Sequence, residues 1–304
     1  MEYLNLPELD GLATLRAVIE HGGTIEAAKM LHIGQPAVTK RLRALENCYG
    51  IALLERIGGR LRLTSAGEKV YLFAVQTLDR HHAISQEFAS LAKGKSSLRL
   101  EVTVGIGEHL LPDLLVAFTE QFPDYQIASR LAYSRQIQTD LATGRADMAL
   151  VETAPDHPDI LVQKWQADEL WLVCGKSHPL WGTDLLPVED LHQQKFILRE
   201  AESSIRESLD AAIKGIGIDK LNTVMEVGSS EAIIDILNRG KHLSFLPRFS
   251  VYERVNEGSL FHIKVMGFRI LRTLWIARNR DALDHPVAEA FINMIREMPV
   301  VDNL

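Results

Sequence analysis

Residues 24–46, TIEAAKMLHIGQPAVTKRLRALE, read as two helices joined by a tight turn. Thr24 offers a hydroxyl that can cap the first helix, and Ala27, Ala28 and Leu31 then share one face. His32, Ile33 and Gly34 make the turn. Pro36 suits only the first turn of the next helix, where a missing N–H costs nothing, so that helix begins near Gln35. Val38, Leu42 and Leu45, spaced i, i+4, i+7, form its inward face. The other side presents Pro36, Thr39, Lys40 and Arg43, with Gln35 at the protruding N-terminal end, where a recognition helix meets base edges. Gln, Arg and Lys can read bases, while Thr and Lys also hold phosphates. A bare two-helix pattern serves equally well as an amphipathic pair inside an enzyme core.

The next stretch of chain shifts the balance. Residues 51–67, IALLERIGGRLRLTSAG, place two short apolar segments around Gly58-Gly59, the pattern of a small hairpin wing. Lys29, Lys40, Arg41, Arg43, Arg56, Arg60 and Arg62 outnumber Glu26, Glu46 and Glu55 across residues 24–64, although the whole chain carries a net charge of −7. A local positive patch on an acidic chain is the electrostatic mark of phosphate contact.

At this point the sequence resembles the LysR-type transcriptional regulators. The likeness is carried by Leu12, Leu15, Gly22, Ala27-Ala28, Leu31, Gln35-Pro36-Ala37-Val38, Leu45-Glu46, Gly50, Leu53-Leu54, Arg56, Leu63-Thr64 and Gly67. It departs from the family at Gly34, where a Ser is usual, and at Gly22-Gly23-Thr24, where Gly-Ser-Phe is common. The resemblance implies a winged helix-turn-helix over residues 7–64, in which Thr24, Gln35, Pro36, Ala37, Thr39, Lys40, Arg43, Arg56, Arg60 and Thr64 contact DNA. It implies a linker helix over residues 65–92, and an effector-binding domain over residues 98–304. That domain would consist of two subdomains like those of periplasmic binding proteins, residues 98–165 with 268–304 and residues 166–267. The implied partners are double-stranded promoter DNA, a small-molecule effector and further copies of the chain, as a dimer or tetramer. Contact with RNA polymerase is a further expectation.

Residues 65–92 contain no proline and read as one long helix. Val70, Ala74, Thr77, His81, Ile84, Phe88 and Leu91 follow the four-three spacing by which two helices pack, although such a stripe can also pack on its own domain. Because the family dimerises through this helix, the stripe is taken as the dimer seam. A dimer would set two recognition helices on the half-sites of an interrupted palindrome. The run Lys93-Gly94-Lys95-Ser96-Ser97 ends the linker.

With 304 residues, 46% of them hydrophobic, the chain is long enough for at least two packed domains. No long uncharged apolar run suggests a membrane span, and MEYLNLPELD is unlike a secretion signal, so a cytoplasmic protein is expected. Cys48 and Cys174 lack metal-site or redox-pair spacing and read as small buried hydrophobes.

From residue 98 strands and helices alternate: 98–106, 125–133, 146–152, 169–175, 195–200, 223–228, 242–247 and 273–278 as strands, with helices between them. This implies an α/β domain with a largely parallel sheet and ligands beyond the strand ends. Leu111-Pro112, Phe122-Pro123, Gly144 with Asp147, His178-Pro179 and Leu246-Pro247 extend the family resemblance here. Candidate effector positions are the loops holding Ile106, Gly107, Glu108 and His109; Glu152 and Thr153; Glu200, Ser203 and Ser204; and Gly228, Ser229 and Ser230. Helix N-termini favour anions, yet Glu108, Glu152 and Glu200 in the cleft would repel an anion or demand a cation. Alternatively, these acids cap helices or face water.

An enzyme is the weaker reading. Nucleophile elbows, paired metal-ligand histidines and phosphate loops are missing, GIGEHL is an incomplete dinucleotide fingerprint, and no metal or cofactor is expected. A solute-binding protein would lack the DNA-binding head. A DNA-shaping protein indifferent to small molecules would not need a two-lobed cleft. The reading that remains is a transcriptional regulator responsive to an effector, with a ligand-independent DNA-binding regulator as the alternative.

Overall fold

The computed structural model describes residues 6–58, 60–92, 97–280 and 285–298. The chain divides into two compact units, Met1–Ala89 and Ser90–Leu304.

In the first unit, α1 (Leu9–Glu20), α2 (Thr24–Met30) and α3 (Gln35–Tyr49) precede a hairpin of β1 (Leu54–Ile57) and β2 (Arg60–Leu63), and α4 (Ser65–Ala92) follows. The expected helix-turn-helix and wing are both present. The second helix begins at Gln35 with Pro36 in its first turn, and Val38, Leu42 and Leu45 are buried. They pack with Leu12, Leu15, Val18, Ala27 and Leu53 in one apolar core. His32 turns the chain between the helices with a left-handed φ of 52°. Gly67 is dictated by packing, because a Cβ there would lie 2.0 Å from the Leu53 carbonyl oxygen. Gly59, the side chains of Arg60 and Leu91, and residues 93–96 fall outside what the structure describes.

The seam expected on α4 divides. Val70 and Ala74 are buried in the head's own core. Ile84 and Phe88 are exposed, and so are Leu72 and Phe73, which the four-three reading left out. Arg16 of α1 also clasps the buried Asp79 on α4 at 2.6 Å. The first turns of α4 are therefore part of the head, and the exposed apolar side chains are Ile84 and Phe88 further along the expected seam, with Leu72 and Phe73 off it.

In the second unit β3 (Ser97–Val102) pairs in parallel with β4 (Gln126–Leu131) and β5 (Met148–Val151). On one face of these strands α6 (Leu111–Gln121) and α11 (Pro286–Glu297) meet through Phe118 and Phe291, with ring centroids 5.3 Å apart. Ile137 and Leu141 of α7 (Ser134–Ala142) pack with Ala149 and Val151 in a separate cluster. Together these form lobe I. Lobe II has its own parallel set, β8 (Phe196–Leu198) between β9 (Thr223–Glu226) and β10 (Leu243–Pro247). Its apolar clusters involve α8 (Ser204–Gly215) on one side and α9 (Ser230–Arg239) with α10 (Arg248–Asn256) on the other.

Two long strands join the lobes. β6 (Ile160–Gly175) and β12 (Ile270–Asn279) pair antiparallel from Ile270↔Leu170 to Asn279↔Ile160. β12 continues antiparallel onto β5, and β6 onto β10 and β11 (Leu260–Val265). The expected sheet is thus parallel only within each lobe, and the segments that cross between lobes run against it. β7 (Leu185–Leu186) adds a short edge beside β11. Residues 103–109 depart from expectation as well: the strand ends at Val102, and α5 (Val104–His109) is a short helix.

Candidate functional site

The head presents its chemistry on the N-terminal half of α3. Gln35, Pro36, Thr39, Lys40 and Arg43 are exposed, and Ala37 is half-buried beside them. Thr24 does not cap α2 as expected. Gly23 occupies the cap position, and the Thr24 hydroxyl accepts a hydrogen bond from Gln35 Nε2 at 3.3 Å. This bond ties the side chain that begins α3 to the preceding helix. Thr39 donates to the Gln35 carbonyl at 3.2 Å. Arg56 and Arg62 are on the wing, Arg56 exposed, whereas Arg41, counted above in the basic excess, pairs with Asp10 inside the head. Thr64 is also used internally, donating to the Ala52 carbonyl at 2.8 Å and accepting from Gly67 N at 3.0 Å as a cap of α4.

In the second unit, the expected effector residues converge where the lobes face each other. Their carboxylates do not point at open space. Glu108, on α5 of lobe I, accepts from Ser229 Oγ at 2.9 Å and from Ser230 N at 3.2 Å, at the N-terminus of α9 in lobe II. Glu152, after β5, accepts from Ser204 Oγ at 2.5 Å at the start of α8. The OH of Tyr133 in lobe I donates to Glu200 of lobe II at 3.0 Å. His109 Nδ1 lies 3.4 Å from Glu231, which also faces Arg254 at 3.4 Å. Burial holds the His109 pKa below its ordinary value despite Glu231 and Glu108 nearby. Lobe I therefore puts its own carboxylates at the N-termini of α8 and α9 in lobe II, where backbone N–H groups favour negative charge.

Behind this contact lies a buried ion network. Arg272 of β12 bonds Asp168 of β6 at 2.5 and 3.1 Å and Glu152 at 3.3 Å. Burial keeps the Asp168 pKa raised even with Arg272 beside it. Arg199, 3% exposed, grips Glu200 with two hydrogen bonds and reaches Ser230 Oγ at 3.1 Å. Burial alone would raise Glu200, but the bonds from Arg199 and its own backbone overcome it, and its pKa lies below the usual carboxylate value.

Between Thr103, Gly105, Tyr133, Glu152, Arg199 and Ser203 the remaining space is about 10 Å³, enough for one water. Thr103 Oγ1, which is buried and has no hydrogen-bond partner among the described residues, lines it.

Not every expected position contributes a side chain. Ile106 is fully buried in the lobe I core and is corrected to a packing residue, because α5 rather than a loop carries it. Gly107 packs against Leu131, and Thr153 and Gly228 are exposed. Ser203 caps α8 by accepting from Ile205 N at 3.3 Å.

Models of two families match the chain. That of the bacterial regulatory helix-turn-helix proteins of the lysR family matches residues 9–68, and that of the LysR substrate binding domain matches residues 92–299. The chain belongs to the LysR family of transcriptional regulators. It is similar to a probable RuBisCO transcriptional regulator of Cyanophora paradoxa, 27% identical over 308 residues, covering 98% of this chain and 94% of that one. Full-length CbnR, solved with its target DNA, has a TM-score of 0.69 at 22% identity, covering 95% of this chain and 99% of that one. The regulatory domain of CcmR from Synechocystis PCC6803, solved with 2-PG, has a TM-score of 0.59 at 22% identity, covering 66% of this chain and 95% of that one.

As a LysR-type regulator the protein combines a DNA-binding head with an effector-binding domain and is not an enzyme. No described helix is long and apolar enough to cross a membrane. Sequence reasoning missed Tyr133, Arg199, Asp168 and Arg272 in this LysR cleft. Arg272 was the most visible of them, a lone cation in the apolar run ILRTLWIA.

Proposed function

We propose that this regulator binds promoter DNA as an oligomer through Gln35, Thr39, Lys40 and Arg43 of α3 and Arg56 and Arg60 of the wing. The observation that carries this reading is the exposed, Pro-started end of α3, with its cations beside it and its apolar face locked in the head core. Gln35 reads a base, while Lys40 and Arg56 clamp phosphates. Leu72, Phe73, Ile84 and Phe88 on α4 supply apolar surface for self-association. The place of work is the cytoplasm, where promoter DNA and RNA polymerase are met.

Effector control acts through the lobes. Glu108, Glu152 and Glu200 latch them together, so an effector that enters the cleft must open the latch or replace it. Opening changes the spacing of the heads and the bend of the DNA, shifting an existing equilibrium between assemblies.

The test is operator binding over a salt series. Lys40→Ala and Arg56→Ala each flatten the log–log salt slope by roughly one, for specific and random DNA alike. Gln35→Ala instead lowers discrimination by about 1–3 kcal/mol. Unchanged discrimination in Gln35→Ala removes base reading from that residue.

A further inference from the structure

The cleft between the lobes is nearly filled, but a larger cavity lies elsewhere in the second unit. It measures about 700 Å³ and opens where β11 leaves β6 and β12 joins it. The last β11 pair is Ile263↔Leu172 and the first β12 pair is Ile270↔Leu170, so Trp171 stands at the break. The chain between the two strands loops outward through Gly267, with φ 67°, and Phe268 bridges back to Val265.

The floor of this cavity is apolar and comes from Leu170, Leu172, Phe245, Ile263 and Ile270. One wall is aromatic, since the Trp171 indole stacks on the His262 ring at 4.1 Å and 2°. Burial lowers the His262 pKa to about 4, so that wall is uncharged near neutral pH. The rim is cationic. Arg248 lies 5.5 Å over the Trp171 ring, Lys264 is exposed, and Arg269 is held by Glu169 through two 2.7 Å hydrogen bonds. With Arg269 paired to Glu169, the exposed Lys264 leaves positive charge beside an apolar, aromatic slot.

We propose that this cavity is a second ligand site of the effector domain, for a flat aromatic ring bearing a single anionic group. The ring lies against Trp171, His262 and the aliphatic floor, and the anion meets Lys264 in the field of Arg248. Its volume falls within the range of small-molecule pockets, and its lining has the usual composition, mostly apolar with a few placed charges. The position also matters for signalling. Asp168, next to Glu169 on β6, binds Arg272 of β12, which in turn binds Glu152 in the cleft. A ligand at the break thus bears on the two strands that join the lobes.

The experiment titrates the full-length protein with 2-naphthoate, following tryptophan fluorescence and calorimetry, beside its neutral analogue 2-naphthalenemethanol. The expected result is saturable binding of one naphthoate per chain, at least tenfold tighter than the alcohol. Lys264→Gln weakens it at least tenfold, and Leu185→Trp on the half-exposed rim blocks it, with both variants melting like the parent. Ser204→Ala in the cleft leaves it within twofold. The proposal is overturned by lack of saturable binding to the parent, by equal affinity for the alcohol, or by loss in Ser204→Ala without loss in the folded Lys264→Gln and Leu185→Trp proteins.

Discussion

Replacing Glu108 by Gln tests the latch between the lobes directly. The Glu108 carboxylate accepts from Ser229 Oγ and Ser230 N at the N-terminus of α9, and its side chain is 21% exposed. Gln keeps the length and one acceptor, but it removes the charge and turns the other oxygen into a donor facing donors. A hydrogen bond to a charged group contributes roughly 1.5–3 kcal/mol and a neutral one about 1 kcal/mol. Negative charge at a partly buried helix N-terminus adds up to about 2 kcal/mol. The substitution therefore loosens the latch by about 2–3 kcal/mol, which corresponds to roughly 30- to 150-fold in the open population. Hydrogen exchange in the full chain reads this out. Amides in the first turn of α9 are expected to exchange faster by that factor, while those of α11, packed wholly in lobe I, keep their protection. Unchanged exchange at α9 would refute the latch, and equal loss at α11 would show general destabilisation instead.

Other residues give independent tests. Glu101, 5% exposed beside Asp140 and Arg130, has its pKa raised to about 7 by burial and then by Asp140. The folded state holds this proton more tightly than the unfolded one, so its contribution to stability is greatest at low pH and falls as pH rises from about 4.5 to about 7. Glu101→Gln removes this fall, worth at most about 3 kcal/mol, and a denaturation series against pH with the same slope in parent and variant would disprove it. Val70→Ala, in the head core, lowers stability by on the order of 2 kcal/mol, whereas Phe88→Ala, 65% exposed, leaves the melting temperature near the parent's and weakens self-association in sedimentation. A reversed pair of results would restore Val70 to the seam. Gly67→Ala sets a methyl against the Leu53 carbonyl and costs about 3 kcal/mol or more, visible as loss of cooperative melting of the head; a normal melt would contradict the packing described.

The sequence by itself determined the head. Its signals are local: Pro36 sets the start of α3, the i, i+4, i+7 spacing of Val38, Leu42 and Leu45 orients it, and Gly58, with φ 59°, turns the chain after β1. It also showed the alternation of the second unit, since each strand and helix of a parallel α/β lobe carries its own apolar pattern. It could not show that Val70 and Ala74 belong to the head, because a helix stripe reads the same whichever surface covers it. The segment 248–256 gave little signal, with only Ser250 and Val251 buried along α10. Residues 160–168 were hidden because their alternating exposure on β6 breaks the apolar run. The cleft was decided by tertiary structure alone. Glu108 meets Ser229, and Glu152 meets Ser204 and Arg272, across separations of 121, 52 and 120 residues. A carboxylate reads identically in sequence whether it repels a ligand, faces water or takes a ligand's place on a helix end. Only the folding of two crossing strands brings those helix ends within its reach.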